Sequence, residues 1–321
     1  MSQPPTALRA PSHLRAFLPS LWPSNLTQML NSKAVRWARS KTGAGYHHTV
    51  LARHPRILSN SFPKSGTNLV SGLVTELPWI RNHKRGVTWH HVPRSLVDTA
   101  QRPTKASTIA QLRVCLPGEV FLGHVEADSE VMKFIESHGF RTLFIYRDPR
   151  DVLVSLLHWW QRDPAATWQE SDTWPFRYFC TLDSDEYRLA FLIEGWPASP
   201  PAGFPQDVDF PGIGERFRAF SPWIDEPSCL PIRFEELTDP KESPDVIRGI
   251  ATHLYPAASE QRLGRLVVLM QIGTDPSKSY SFREGRSGGW RQVMTDRHRE
   301  LFKQHAGALL VDFGYEADVD W

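Results

Sequence analysis

Ser61-Phe62-Pro63-Lys64-Ser65-Gly66-Thr67-Asn68 is the stretch from which the fold of this 321-residue chain can be read. Just before it, Arg56-Ile57-Leu58-Ser59-Asn60 is a short apolar-leaning run that reads as a buried strand. Just after it, Leu69, Val70, Leu73, Val74 and Leu77 recur at helical spacing until Pro78 ends the run. The order is therefore strand, tight loop, helix. Such a loop aims backbone N–H groups and the positive end of a helix dipole at one point, which suits an anion. Lys64 adds a full charge there, and Ser65 and Thr67 add hydroxyl donors. The usual nucleotide P-loop, G-x-x-x-x-G-K-[ST], occurs nowhere in the chain.

The totals narrow the class. An apolar fraction of 40% and a charged fraction of 22% are those of a soluble globular protein. A net charge of +2 argues against a general nucleic-acid-binding surface. Cys115, Cys180 and Cys229 have no metal-type spacing, and their odd number fits a reducing compartment. Neither a membrane-spanning apolar run nor a secretory signal pattern is present, so the expected location is cytoplasmic and the Asn25 sequon idle.

Residues 1–55 are expected to form a partly helical N-terminal extension, carrying Leu14, Phe17, Leu18, Leu21 and Trp22. Pro19 and Pro23 interrupt it, which favours a helix packed on the domain or serving a homodimer over one lying on a membrane. Residues 79–110 read as a polar, irregular, substrate-facing connection. His83, His90 and His91 have no carboxylate or Cys at ligand spacing, so no metal site is expected there. Glu119 to His124 reads as a strand ending on a histidine, at the edge where open α/β sheets collect ligands.

Arg141 to Tyr146 is a second clear strand with Arg147 at its exit. Asp148 suits an N-cap, Pro149 the first helical position, and Asp151 the return partner of a near-capping box. Ser155 follows nearly two turns into that helix, and an Arg at a strand end with a Ser on the next helix can grip one phosphate. The plainer reading is a salt-bridged cap between Arg147 and Asp151. Residues 161–215, with Trp168, Trp174, Phe176, Tyr178, Phe179 and Trp196, read equally as a lid or acceptor pocket and as a loosely packed subdomain. Cys229 to Phe234 reads as another strand, followed by acidic Glu235 and Glu236. From Ser281 to His305 there are six Lys or Arg against three acids, a field that favours an anion.

Three of these stretches together resemble the sulfotransferases that use 3′-phosphoadenosine 5′-phosphosulfate (PAPS). Pro63-Lys64-Ser65-Gly66-Thr67 is similar to their 5′-phosphosulfate loop, and Arg147 to Ser155 to their 3′-phosphate motif, including the Arg-to-Ser spacing. Phe282 to Arg291 resembles their C-terminal R-K-G-x-x-G-x-W-[KR] loop, and Phe234-Glu235-Glu236 the strand end near adenine. The resemblance covers most of residues 56–321. It implies a single α/β domain with a central parallel sheet of about five strands flanked by helices, related to the P-loop kinases; recurrent strand–helix alternation points to the same class.

The resemblance also implies a reaction and its parts. A sulfuryl group would move from PAPS to a hydroxyl or amine of a small organic acceptor, leaving 3′-phosphoadenosine 5′-phosphate (PAP), with no metal. His124 would be the general base and Lys64 would stabilise the leaving phosphate. Lys64, Ser65, Gly66, Thr67, Asn68, Arg147, Ser155, Phe234, Arg283, Glu284, Gly285 and Arg286 would bind the nucleotide. Three departures stand out. Glu284 occupies a usual Lys position, with Arg286 as its replacement. Gly123 stands where the family's soluble branch often has a Lys. Asn68-Leu69 stand where a Trp often stacks on adenine, so stacking is expected from elsewhere, with Phe234 as one candidate. A phosphotransferase on the same fold would want a Lys after Gly and acidic metal ligands, and a non-catalytic nucleotide-binding protein would lack the base.

Overall fold

Side-by-side alternation in two central runs builds the core. Leu58 and Phe144 face one way and Ile57, Leu143 and Ile145 the other, all buried, so both faces of the sheet they form are covered. The computed structural model describes residues 53–89, 103–162, 173–274 and 287–321. All but the last three residues of the expected N-terminal extension lie outside these, as do His90, His91 and Trp168.

In chain order the elements are β1 (Arg56–Ser61), α1 (Thr67–Thr75), β2 (Arg81–Trp89), α2 (Lys105–Arg113), β3 (Glu119–Val125), α3 (Ser129–Ser137), β4 (Phe140–Tyr146) and α4 (Pro149–Trp160). Then follow α5 (Trp174–Thr181), α6 (Asp185–Glu194), α7 (Ile213–Arg218), α8 (Pro222–Asp225), β5 (Cys229–Arg233), α9 (Phe234–Thr238), α10 (Ser243–Leu254), α11 (Glu260–Gln271), α12 (Trp290–Val293) and α13 (Asp296–Asp312). The five strands are parallel in the order β2-β3-β1-β4-β5. Helix α1 buries Val70, Leu73 and Val74 on the face with α10 and α11, whereas α4 buries Val152, Leu153 and Leu157 on the opposite face. The chain thus leaves neighbouring strands β1 and β4 toward opposite faces, and the point between their carboxyl ends is where open α/β sheets bind ligands. No helix of the described residues is long and apolar enough to cross a membrane.

Several local readings change. Residues 79–110, expected to be irregular, hold β2 and α2. Strand β2, RNHKRGVTW, sits at the edge of the described sheet, pairs there with β3 alone and shifts register between Asn82 and Gly86, so it lacks the apolar run of a central strand. Helix α2 starts at a capping box, in which Thr104 Oγ1 accepts from Ser107 N (3.1 Å) and Ser107 Oγ from Thr104 N (2.8 Å). Its burial is confined to Thr108 and Leu112, which gives it no amphipathic signature.

Apart from Tyr187, which is half exposed, the described aromatics of residues 161–215 are consumed by packing. Trp160 meets Phe176 and Phe179 edge-on at 5.8 and 5.2 Å, and Tyr178 meets Trp196 and Phe204 at 5.4 Å each. Phe234 begins a short helix instead of ending a strand.

Candidate active site

Most of the expected site residues meet at the carboxyl edge of the sheet. Lys64 to Asn68 follow β1, His124 is near the end of β3, Arg147 follows β4, Phe234 follows β5, and Ser155 lies on α4. Arg283, Glu284, Gly285 and Arg286 lie outside the described residues, although Ser287 to Arg291 beside them are described.

The loop after β1 is built to present amides. Gly66 stands before α1 with φ 111°, and no side chain caps that helix, in contrast to α3 and α4, which Asp128 and Asp148 cap. The first-turn N–H groups lack the i−4 carbonyl partner of a helix interior, although Leu69 N turns back to the Gly66 carbonyl at 2.9 Å. Lys64 itself adopts a left-handed backbone (φ 69°), and its Nζ lies 4.1 Å over the Trp159 ring. Ser65 Oγ is buried with no hydrogen-bond partner among the described residues, an atom that fits a bound oxyanion. A Cβ on Gly66 would come within 2.9 Å of the Phe234 ring and 3.1 Å of Ile145. Gly66→Ala is therefore expected to lose about 1–3 kcal/mol of stability from strain and overpacking, which a denaturant titration measures.

Ser61 ties this loop to the histidine. Its Oγ lies 2.6 Å from Thr67 Oγ1 and 3.0 Å from His124 Nδ1, and its carbonyl lies 3.1 Å from the same nitrogen. A carbonyl only accepts, so Nδ1–H donates to it and the lone pair of the neutral ring sits on Nε2. Burial lowers the imidazole pKa from its ordinary value, outweighing the Ser61 carbonyl bond that raises it, and the Lys64 charge lowers it further. The ring is thus held neutral at pH 7. Asn60 fixes the strand end that carries it: Nδ2 donates to Val125 O and Oδ1 accepts from Val125 N, both at 2.9 Å. A Cβ at position 123 would lie 3.0 Å from Asn60 Oδ1 and from Leu58 Cδ1, which explains the glycine before His124.

The second and third motifs are joined by Asp151. Its carboxylate accepts from Gly288 N (2.7 Å) and Trp290 N (2.9 Å), so the end of the third motif is tied to α4. The expected near-capping box is therefore not made. Asp148 does cap, accepting from Arg150 N at 2.9 Å, but its own N–H donates to Glu235 Oε1 at 3.0 Å rather than to Asp151. Burial raises the Asp151 pKa, against the charge of Arg147 and the two amides. The ion pair that the plainer reading required is present, Arg147 to Asp151 at 3.7 Å. The Arg147 guanidinium also stacks 4.3 Å over Phe234. Phe234 is buried between Arg147 and Gly66, so its ring supports the arginine and the loop and presents no open face for a base.

Asp151, Ser155 and Trp159 are four residues apart and share one face of α4. That face runs roughly 12 Å from the Arg147 and Gly288 end to Lys64, at about 1.5 Å per residue. Asn60, Ser61 and Trp159 are contributors that motif reading passed over, and Asp151 was read only as a cap and a partner of Arg147. The helical spacing of Asp151, Ser155 and Trp159 is a signal that links Trp159 to the other two.

No family model matches the chain, and no curated protein matches it in sequence. Solved structures do. Mouse sulfotransferase SULT7A1 complexed with PAP is similar with a TM-score of 0.52 and 15% identity, over 84% of this chain and 87% of that one. Retinol dehydratase with androsterone and inactive cofactor PAP matches at TM-score 0.46 and 15% identity, over 80% of each chain. The complex of retinol dehydratase with retinol and PAP matches at 0.44 and 16% identity, over 78% of this chain and 80% of that one. At such identities the likeness concerns architecture, and by the first of these structures the five-stranded parallel α/β fold of this chain is the sulfotransferase fold.

Proposed function

We propose that the protein transfers a sulfuryl group from PAPS to a hydroxyl or amine of a small organic acceptor. The observation that carries this reading is the Ser61 junction, which holds an anion-directed loop and a neutral histidine side by side. In the proposed step, the acceptor heteroatom forms a bond to sulfur as the bond from sulfur to the 5′-phosphate oxygen breaks, leaving PAP. The acceptor proton goes to Nε2 of His124. Lys64, with the first-turn amides of α1, neutralises charge gathering on the departing phosphate. The uncapped helix end, the buried Ser65 hydroxyl and the Arg147 guanidinium fit the two anionic ends of PAPS. Ser155 would meet the 3′-phosphate with Arg147, and Arg283, Gly285 and Arg286 would close over it. No metal is proposed.

The test is PAPS turnover with a panel of small phenols, alcohols and amines, read by mass spectrometry. Gain of one sulfuryl group by an acceptor, matched by PAP release, is the expected result. No conversion across the panel, with PAPS intact, would count against it.

Arg147→Ala is expected to weaken PAP binding by about 1.5–3 kcal/mol, the worth of one charge-assisted contact. Affinity for adenosine 5′-phosphosulfate, which lacks the 3′-phosphate, should scarcely change. Equal losses for the two nucleotides, measured by calorimetry, would remove Arg147 from the 3′-phosphate.

A further inference from the structure

A basic crevice lies at the other edge of the sheet. It has a volume of about 380 Å³ and is lined by Arg53, His54, Arg141, Tyr255 and Arg262, together with small apolar residues and no acid. Arg53 precedes β1, Arg141 is the second residue of β4, and Arg262 lies in the first turn of α11. All three sit at the amino-terminal side of the strands. A six-residue strand separates them from the Lys64 loop, roughly 20 Å at about 3.3 Å per residue.

No described acid compensates these charges. Among the described residues, none of Arg53, Arg141 and Arg262 pairs with a carboxylate. Neighbouring groups register that field. Burial and then Arg262 lower the His54 pKa, and burial and then Arg141 lower that of His253. His253 Nε2 is buried with no hydrogen-bond partner among the described residues. The floor is held in place: His54 Nδ1 lies 3.0 Å from the Tyr255 hydroxyl, the His54 ring stacks on Trp79 at 6.0 Å, and Arg262 lies over the Tyr255 ring at 5.2 Å.

Three arginines from separate segments, lining one crevice without an acid, match a group that carries several acceptor oxygens at once. A flat carboxylate would occupy one or two of the forks, whereas a tetrahedral dianion can meet all three. We propose that this crevice is a second anion site, which takes a small phosphate or sulfate group through Arg53, Arg141 and Arg262. It is independent of the site at the carboxyl edge and does not rest on the activity assigned there.

The test uses the full chain and inorganic phosphate, with sulfate as the second arm and acetate and chloride as references, all at one ionic strength. The His54 ring resonance in a ¹H–¹³C spectrum reports the crevice, and a saturable shift with phosphate or sulfate is expected. The response of the two anions shows which one the site prefers. Arg141→Gln with Arg262→Gln should weaken that binding at least tenfold. Arg53→Gln, an exposed change that leaves the fold untouched, should weaken it several-fold. Lys64→Ala with Arg147→Ala should leave it unaltered. A shift no larger than that with chloride would overturn the proposal. So would saturable binding that survives the crevice variants and disappears with Lys64 and Arg147.

Discussion

Lys64→Ala should reduce single-turnover sulfuryl transfer at saturating PAPS by roughly 10²–10³, the loss that follows removal of one donor aimed at developing charge. The motivation is positional. Lys64 follows β1 directly, its backbone is already left-handed, and its Nζ stands over Trp159 on the face of α4 that leads back to Asp151. An exposed-type cation–π contact is worth about 0.5–1 kcal/mol, so the variant should melt within a few degrees of the wild type. Alanine also tolerates the left-handed backbone about as well as lysine does, because both carry a Cβ. A folded variant with wild-type turnover would contradict the loop assignment. A large fall in melting temperature would show instead that Lys64 is structural.

His124→Ala should act on the chemistry and leave the nucleotide site whole. A positioned base contributes roughly 10²–10⁴ in rate, and PAP affinity should hardly change. The pH profile adds a sharper test. A base works in its neutral form, so the wild-type rate should rise with pH through one ionisation and then level off. Burial and the Lys64 charge lower the His124 pKa, so that rise should fall below the ordinary imidazole range and be complete by neutrality. The variant's residual rate should lack this acid limb. The same shift has a stability consequence of known sign. Above the unfolded-state pKa the ring is neutral in both states. As pH falls through that value, the unfolded chain takes up the proton more readily, and the native state loses stability down to the depressed folded value. If the variant melts lower yet transfers sulfuryl groups at near-normal rate, His124 is a structural residue hydrogen-bonded to Ser61.

The pattern of what could be read beforehand follows burial. Strands β1, β3, β4 and β5 were visible as apolar runs bounded by polar residues, because three of them have neighbours on both sides and all four contribute buried residues. Strand β2 was not, since an edge strand such as RNHKRGVTW carries few apolar residues and its register slips. The site shows the same division. Lys64, His124 and Arg147 stand at strand ends, and strand ends are legible. The contacts that position them join Ser61 to His124 and Asp151 to Gly288 and Trp290 across long stretches of chain. No local spacing encodes such contacts. Asp151 shows how a local rule can mislead: its place three residues after an N-cap suits a capping box, yet the tertiary amides of Gly288 and Trp290 win because Glu235 serves the Asp148 amide instead. Phe234 is the converse case, an aromatic whose position resembles a base-stacking site but whose ring is covered by Arg147.

Calorimetric titration of the full chain with PAP, set against ATP with Mg²⁺ under the same buffer and salt, tests the central claim most directly. The account requires saturable one-to-one binding of PAP that weakens in Arg147→Ala, with ATP and Mg²⁺ binding at least tenfold less tightly. Tight binding of ATP with Mg²⁺ and none of PAP would contradict it, and would make the loop at Lys64 the phosphate site of a phosphotransferase.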